Sequence, residues 1–177
     1  MSLELSEQEL VRRETLNKMR EKGIEPYPAA LFPVDTLSKE IQENYEEGKR
    51  VIVAGRLMSK NIMGKASFSS IQDSAGRVQA YFNRDVMCPD EDKSLYNEVY
   101  KKMLDIGDFI GIEGTLFTTQ VGEKSIQVEK MTVLSKSLKP LPMPKTDSEG
   151  KVHDAFTNPE LRYRQRYVDL VVNPQVK

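Results

Sequence analysis

At residue 50 the apolar pattern of this 177-residue chain changes period, and that change limits what the chain can fold into. Upstream, apolar residues recur at helical steps; downstream they alternate, as the side chains of a half-buried strand must. Five stretches read as strands: 50–60, 66–73, 77–83, 108–118 and 124–134. Turn residues separate them at Met63-Gly64, Ala75-Gly76 and Val121-Gly122. Between the third and fourth, residues 92–104 return to helical spacing through Leu95, Val99, Tyr100 and Met103, and Gly107 follows.

The order is β-β-β-α-β-β. Glycines inside the strands, Gly55 and Gly111 with Gly114, suggest the bends or bulges that coil a sheet into a small barrel. The pattern predicts a mainly β fold with flanking helices: a five-stranded OB-fold barrel. A generic five-stranded α+β sheet is the competing arrangement.

The flanks read differently. Ser6 with Glu9 is a capping-box pair, and Leu10, Val11, Leu16 and Met19 give an apolar stripe before Gly23 closes a first helix. Pro26-Tyr27-Pro28 forces an extended segment. A second helix is expected from Thr36 to Gly48, on Leu37, Ile41 and Tyr45. After Ser135 periodicity is lost; Pro140, Pro142 and Pro144 mark an extended linker, and 145–157 reads as polar and mobile. Asn158-Pro159-Glu160 then opens a last helix through 160–172, rich in Arg162, Arg164, Arg166, Tyr163 and Tyr167. Its amphipathic surface, followed by Asn173-Pro174, reads as a boundary within a longer protein. The expected division is 1–48 helical extension, 49–136 barrel, 137–158 proline-rich linker, and 159–177 the start of a further domain.

Within the barrel the hairpin 68–82 carries chemistry. Phe68 and Gln79 lie eleven positions apart with the Ser74-Ala75-Gly76 turn between them, so the hairpin can bring a ring and an amide to one face. A ring that stacks and an amide that hydrogen-bonds are what reading an unpaired base requires. The residues alone favour Phe68 as a core ring and Gln79 as an ordinary exposed strand residue. Charge bears on the choice. From Lys49 to Arg84 seven basic residues (Lys49, Arg50, Arg56, Lys60, Lys65, Arg77 and Arg84) face one acid, Asp73, a local charge of +6. From Asp90 to Glu113 seven acids face three lysines, giving −4. The hairpin therefore lies in the basic segment, where a phosphate-facing surface or a solvated charged face is the alternative. One cysteine, Cys88, and one histidine, His153, exclude a disulfide framework and a Cys/His zinc cluster. No apolar run reaches membrane-spanning length and the acidic N-terminus is no secretory signal, so the cytoplasm is the expected location, with no membrane partner.

Four stretches carry a resemblance: 53–82 (VAGRLMSKNIMGKASFSSIQDSAGRVQAYF), 104–126 (LDIGDFIGIEGTLFTTQVGEKSI), 134–142 (LSKSLKPLP) and 160–173 (ELRYRQRYVDLVVN). Together they resemble the N-terminal part of the bacterial class II lysyl-tRNA synthetases, from about Glu9 to the C-terminus. MGKASF and RYRQRYVDL are its most specific motifs. The resemblance implies an OB-fold that binds a tRNA with a lysine anticodon, not DNA. It implies that Phe68 stacks on the central uridine, that Gln79 hydrogen-bonds it, and that Glu123 also contacts the anticodon. Arg56 is implied as a phosphate or base contact, and Lys65 belongs to a loop that follows the anticodon backbone. The parent enzyme would be a homodimeric ATP-dependent ligase using Mg2+. The arginine-bearing motifs that hold ATP are missing here, so this stretch is expected to need no cofactor and to be inactive alone.

The chain departs from the family pattern at Asn61, where some relatives carry arginine, at Lys130, where others carry glutamate, and in a longer 143–157 segment. Glu129, one place from Lys130, is expected on the opposite strand face and is given no role. Two alternatives stand beside this one. The first is the anticodon domain of an aspartyl or asparaginyl enzyme. The second is an OB-type protein-interaction module, which would ring Phe68 with exposed apolar groups; Ser67, Ser69, Gln72 and Gln79 instead suggest a polar face with one aromatic.

Overall fold

The computed structural model describes residues 5–146, 152–153, 156–173 and 176. The chain forms two compact units, Met1–Leu138 and Lys139–Lys177.

In the first unit, strands β1 (Arg50–Met63), β2 (Ala66–Gln72), β3 (Arg77–Asn83), β4 (Phe109–Thr118) and β5 (Lys124–Ser135) close into a barrel in the order β1-β2-β3-β5-β4. This is the expected OB-fold arrangement. Closure depends on the length of β1. Its first half pairs with β4, from Arg50–Thr115 to Arg56–Phe109, and its second half with β2, from Arg56–Gln72 to Met63–Ala66. A bulge between Leu57 and Ser59 makes the bend that lets one strand serve both neighbours. At Gly55, where the bend was expected, the register runs on unbroken. At Gly114 a bulge does occur, and a Cβ there would lie 2.0 Å from the Gln127 carbonyl oxygen. Gly111 has a different reason: a Cβ would strike the Phe32 ring at 2.4 Å, because the extended segment before β1 lays Phe32 across β4.

The interior holds Val51, Val53, Leu57, Ile71, Val78, Phe82, Ile110, Ile112, Leu116, Ile126 and Val128. One end is closed by residues Leu95–Met103, which wind as a π-helix; beyond it the Leu104 N–H reaches the Val99 carbonyl five residues back. The helical spacing was correct, but the wider turn also buries Tyr96, which the spacing omitted. Tyr100 stacks on Phe82 at 4.2 Å and on Tyr96 at 5.4 Å. Lys60 caps this helix, its Nζ donating to the carbonyls of Tyr100, Lys101 and Leu104.

Helix α1 (Glu7–Glu21) starts at the predicted capping box, with Ser6 Oγ accepting from the Glu9 N–H, and ends before Gly23 at φ +73°. Its buried face differs from the predicted stripe. Leu10 and Val11 are more than half exposed, whereas Arg12, Leu16 and Met19 face inward. Arg12 faces inward because its guanidinium is satisfied there, donating to the Ser137 and Ile106 carbonyls. Helix α2 (Ser38–Glu43) is shorter than predicted at both ends and buries Ile41 in the same core. It is tied to the β2–β3 turn by Asp73, whose carboxylate accepts from the Ser38 N–H and Oγ and from the Ala75 and Gly76 N–H groups. Burial pushes the Asp73 pKa up, but these donors outweigh it and hold the group below the usual carboxylate range. A four-residue helix, α3 (Arg84–Met87), follows β3 under an Asn83 cap.

The barrel base is pinned by Lys136, just past β5. Its buried ammonium donates to Asp105 Oδ2 at 2.5 Å, Asp108 Oδ2 at 2.8 Å and the Met103 carbonyl at 2.9 Å. Asp108, also fully buried, accepts the Ser137 and Asp105 N–H groups. Tyr27 donates its hydroxyl to the Lys136 carbonyl, joining the Pro26-Tyr27-Pro28 segment to this point.

The second unit contains β6 (Lys145–Thr146), β7 (Val152–His153), α4 (Pro159–Arg164) and α5 (Arg166–Val172). Asn158 caps α4 and Pro159 occupies its first turn, as predicted. The single last helix is instead two, interrupted at Gln165 (φ −117°, ψ 53°), and Arg162, Arg166 and Asn173 all donate to the buried Asp169 carboxylate. The segment expected to be mobile, 145–157, falls partly on 147–151 and 154–155, which lie outside the described residues.

Replacing Lys136 with alanine leaves Asp108 buried without its cation and is expected to cost about 3–5 kcal/mol, read as a lower urea midpoint. A second test is alkaline titration. Burial pushes Tyr96 up to about 12 and also raises Tyr100. Both folded pKa values lie above the unfolded one of about 10, so stability is full below that value and falls as pH rises towards 12. Tyrosinate absorbance for these two residues should appear together with unfolding.

Candidate functional site

Strand parity decides what the barrel shows to solvent. On β2, Ser67, Ser69 and Ile71 are buried, so Phe68, Ser70 and Gln72 form the outward set; on β3 the outward set is Arg77, Gln79, Tyr81 and Asn83. Phe68 pairs with Asn61 on one side and Tyr81 on the other, and the neighbouring row is Ser59, Ser70, Gln79 and Ser125. Phe68 and Gln79 therefore share a face, one row apart, as the hairpin reading required.

The polar face predicted from Ser67 and Ser69 is corrected by the same parity. These two serines point into the barrel, where their hydroxyls bond the Tyr100 hydroxyl at 2.6 and 2.7 Å. They flank Phe68 in sequence, so this bridge anchors its strand from beneath. Outside, Phe68 is not the lone aromatic either. Its ring lies 4.9 Å from Tyr81, which meets Phe117 edge-on at 5.7 Å. Tyr81 was detectable in the sequence, two residues from Gln79 on the same strand face. Phe117 was not, because its approach across β5 depends on barrel closure.

Phe68, Gln79 and Glu123 line one open cavity of about 330 Å3, with Asn61, Ser70 and Arg77 among its other walls. Gln79 Oε1 accepts from Ser125 Oγ at 2.7 Å, and its amide N–H2 has no partner among the described residues. Glu123 sits in the β4–β5 turn, where its backbone N–H donates to Thr119 Oγ1 at 3.0 Å and its carbonyl accepts the Thr119 N–H. Its carboxylate is likewise without a partner among the described residues. The cavity thus offers a stacking ring, an amide donor and an anionic acceptor.

Two predicted residues stand outside it. Arg56 donates to the Gly107 carbonyl at 2.9 Å and lies over the Phe109 ring at 4.3 Å; burial lowers its pKa. Lys65 is exposed in the two-residue turn between β1 and β2, near the Phe68 end of β2. The basic segment as a whole is less available than its charge suggests. Arg50 pairs with Glu113 and Glu129, Lys60 caps the π-helix, and Arg84 pairs with Asp85.

Glu129 and Lys130 need a further correction. The β4–β5 register skips from Glu113–Lys130 to Gly114–Val128, so Glu129 is a bulge residue and both side chains face outward. Lys130 and Arg50 both meet Glu113, and Glu129 also accepts from Thr115. The strand-parity expectation for Glu129 fails because a bulge breaks the two-residue period.

No group of side chains suited to hold a metal ion occurs among the described residues, and no helix there is long and apolar enough to cross a membrane. Removing the Tyr100 hydroxyl with Tyr100→Phe leaves Ser69 unpartnered inside the barrel. A loss of about 1–3 kcal/mol in stability is expected, measured by thermal or urea denaturation.

Comparison with known proteins agrees with this fold. Residues 51–134 match the family model described as an OB-fold nucleic acid binding domain. The chain is 64% identical over 174 residues to a lysine–tRNA ligase of Christiangramia forsetii, covering 98% of this chain and 31% of that protein. A lysine–tRNA ligase of Porphyromonas gingivalis is 55% identical over 180 residues, covering 99% and 31%. One of Azobacteroides pseudotrichonymphae is 52% identical over 176 residues, covering 98% and 35%. The chain spans about a third of the length of these curated relatives.

Proposed function

The chain is homologous to the N-terminal region of lysine–tRNA ligases, and from that premise we propose that its barrel reads the anticodon of a lysine tRNA. The observation that carries this reading is the convergence of Phe68, Gln79 and Glu123 on one open cavity. Phe68 stacks on the central uridine, a contribution of about 1–3 kcal/mol that does not depend on base identity. Gln79 and Glu123 supply the selectivity, an amide donor for a uracil carbonyl and a carboxylate acceptor for a base N–H. Lys65, exposed at the adjacent turn, lies where the anticodon backbone would pass. Arg56, already engaged with Gly107 and Phe109, holds β1 against β4 and contributes positive charge at a distance.

In this reading the parent ligase uses ATP and Mg2+ to join lysine to tRNA, works as a homodimer in the cytoplasm, and leaves anticodon recognition to this barrel. The names of the relatives support a lysine–tRNA ligase as that parent.

The reading is tested by titrating the chain with anticodon stem-loops carrying three uridines, or the same loop with the central uridine replaced by cytidine. Tighter binding of the uridine loop is expected, and equal affinity for both overturns it. Phe68→Ala should weaken every loop by about 1–3 kcal/mol, whereas Gln79→Ala should mainly erode the preference. Rising salt should weaken all of them together, since the ionic contacts are to phosphate.

A further inference from the structure

A glutamine side chain is an ambiguous reader. Rotated by half a turn about its last bond, it exchanges a carbonyl for an amino group at almost no change in shape. In one orientation it donates to the O4 carbonyl of uracil; in the other it accepts from the N4 amino group of cytosine. An amide free to turn therefore satisfies either pyrimidine, and Gln79 can select only if something fixes its orientation.

Ser125 is placed to fix it. The two residues are direct partners in the parallel β3–β5 ladder. Ser125 is fully buried, and its Oγ donates to Gln79 Oε1 at 2.7 Å. The other acceptor within reach of that hydroxyl, the Glu123 carbonyl, is 3.4 Å away and a weak competitor for the proton. Turning the amide over would make Ser125 Oγ the acceptor of an amide N–H and leave the hydroxyl proton only the long contact with the Glu123 carbonyl. The Glu123 carboxylate on the same cavity adds to the bias, because it attracts amide N–H groups and repels a carbonyl.

Resting on the anticodon-reading function above, we propose that Ser125 is a positioning residue that makes Gln79 donor-only and thereby sets the preference for uridine over cytidine. Ser125 touches no base itself. With Oε1 held, the amide offers only N–H groups to the cavity, which pair with a uracil carbonyl and oppose a cytosine amino group.

The test compares the full 177-residue chain with Ser125→Ala, using stem-loops with a central uridine or a central cytidine. Freed of its anchor, the amide can turn. The variant should bind the cytidine loop more tightly than the unaltered chain does, and the uridine-to-cytidine affinity ratio should fall by about tenfold. A merely structural role for Ser125 weakens both loops and preserves the ratio, and that result overturns the proposal. Gln79→Glu supplies an independent check on a more exposed position. Its carboxylate can only accept, so the preference should shift towards cytidine; retained preference for uridine also overturns the proposal. Absence of a uridine preference in the unaltered chain overturns the anticodon reading itself and this assignment with it. A preference that survives Ser125→Ala intact overturns the Ser125 role alone.

Discussion

The buried contact between Lys136 and Asp108 is the constraint on which the barrel depends. Taking both charges out of water is expensive, and the cost is offset only where every remaining donor and acceptor is satisfied. Here two chain segments supply the partners. Lys136 lies just beyond β5, Asp105 and Asp108 lie between the π-helix and β4, and Ser137 returns an N–H to Asp108. Arg12 of α1 reaches the same corner through the Ser137 and Ile106 carbonyls. These groups meet only when β5 lies in register beside β4 and α1 is docked. A buried pair of this kind adds little net stability over an apolar replacement, and the aliphatic interior supplies most of it.

The π-helix works from the same end. Lys60 binds its terminal carbonyls, and Tyr100 extends inward to Ser67 and Ser69. The outward face of β2 is thus organised from inside the barrel. Phe68 stands between two serines held by one hydroxyl and is braced outside by Tyr81. The ring and the amide of Gln79 are presented by strands whose positions are already determined by the core.

Much of this could be read from the residues. The five strands emerged within a few residues of their observed ends because alternation is a local signal, and the capping box at Ser6 needed only Glu9. The pairing of Phe68 with Gln79 on one face followed from counting across a turn. What could not be read came from features that shift parity or require distant partners. The bulge at Glu129 turned it to the same side as Lys130. Lys60, counted as surface charge, lies after the β1 bulge and points to a helix forty residues away in sequence. Ser67 and Ser69 look like surface hydroxyls until Tyr100 is seen beneath them. Ser125 gave no signal at all, since its relation to Gln79 exists only in the parallel β3–β5 pairing that closes the barrel.

The bracing of β2 on both sides has a kinetic consequence. In the proposed anticodon reading, a base arriving at Phe68 meets a surface that is already ordered, so little conformational entropy remains to be lost on contact. Right and wrong bases then arrive at similar rates, since neither has to wait for the strand to take shape. The difference between them lies in residence time: the mismatched loop is released sooner, and selection is exercised through departure.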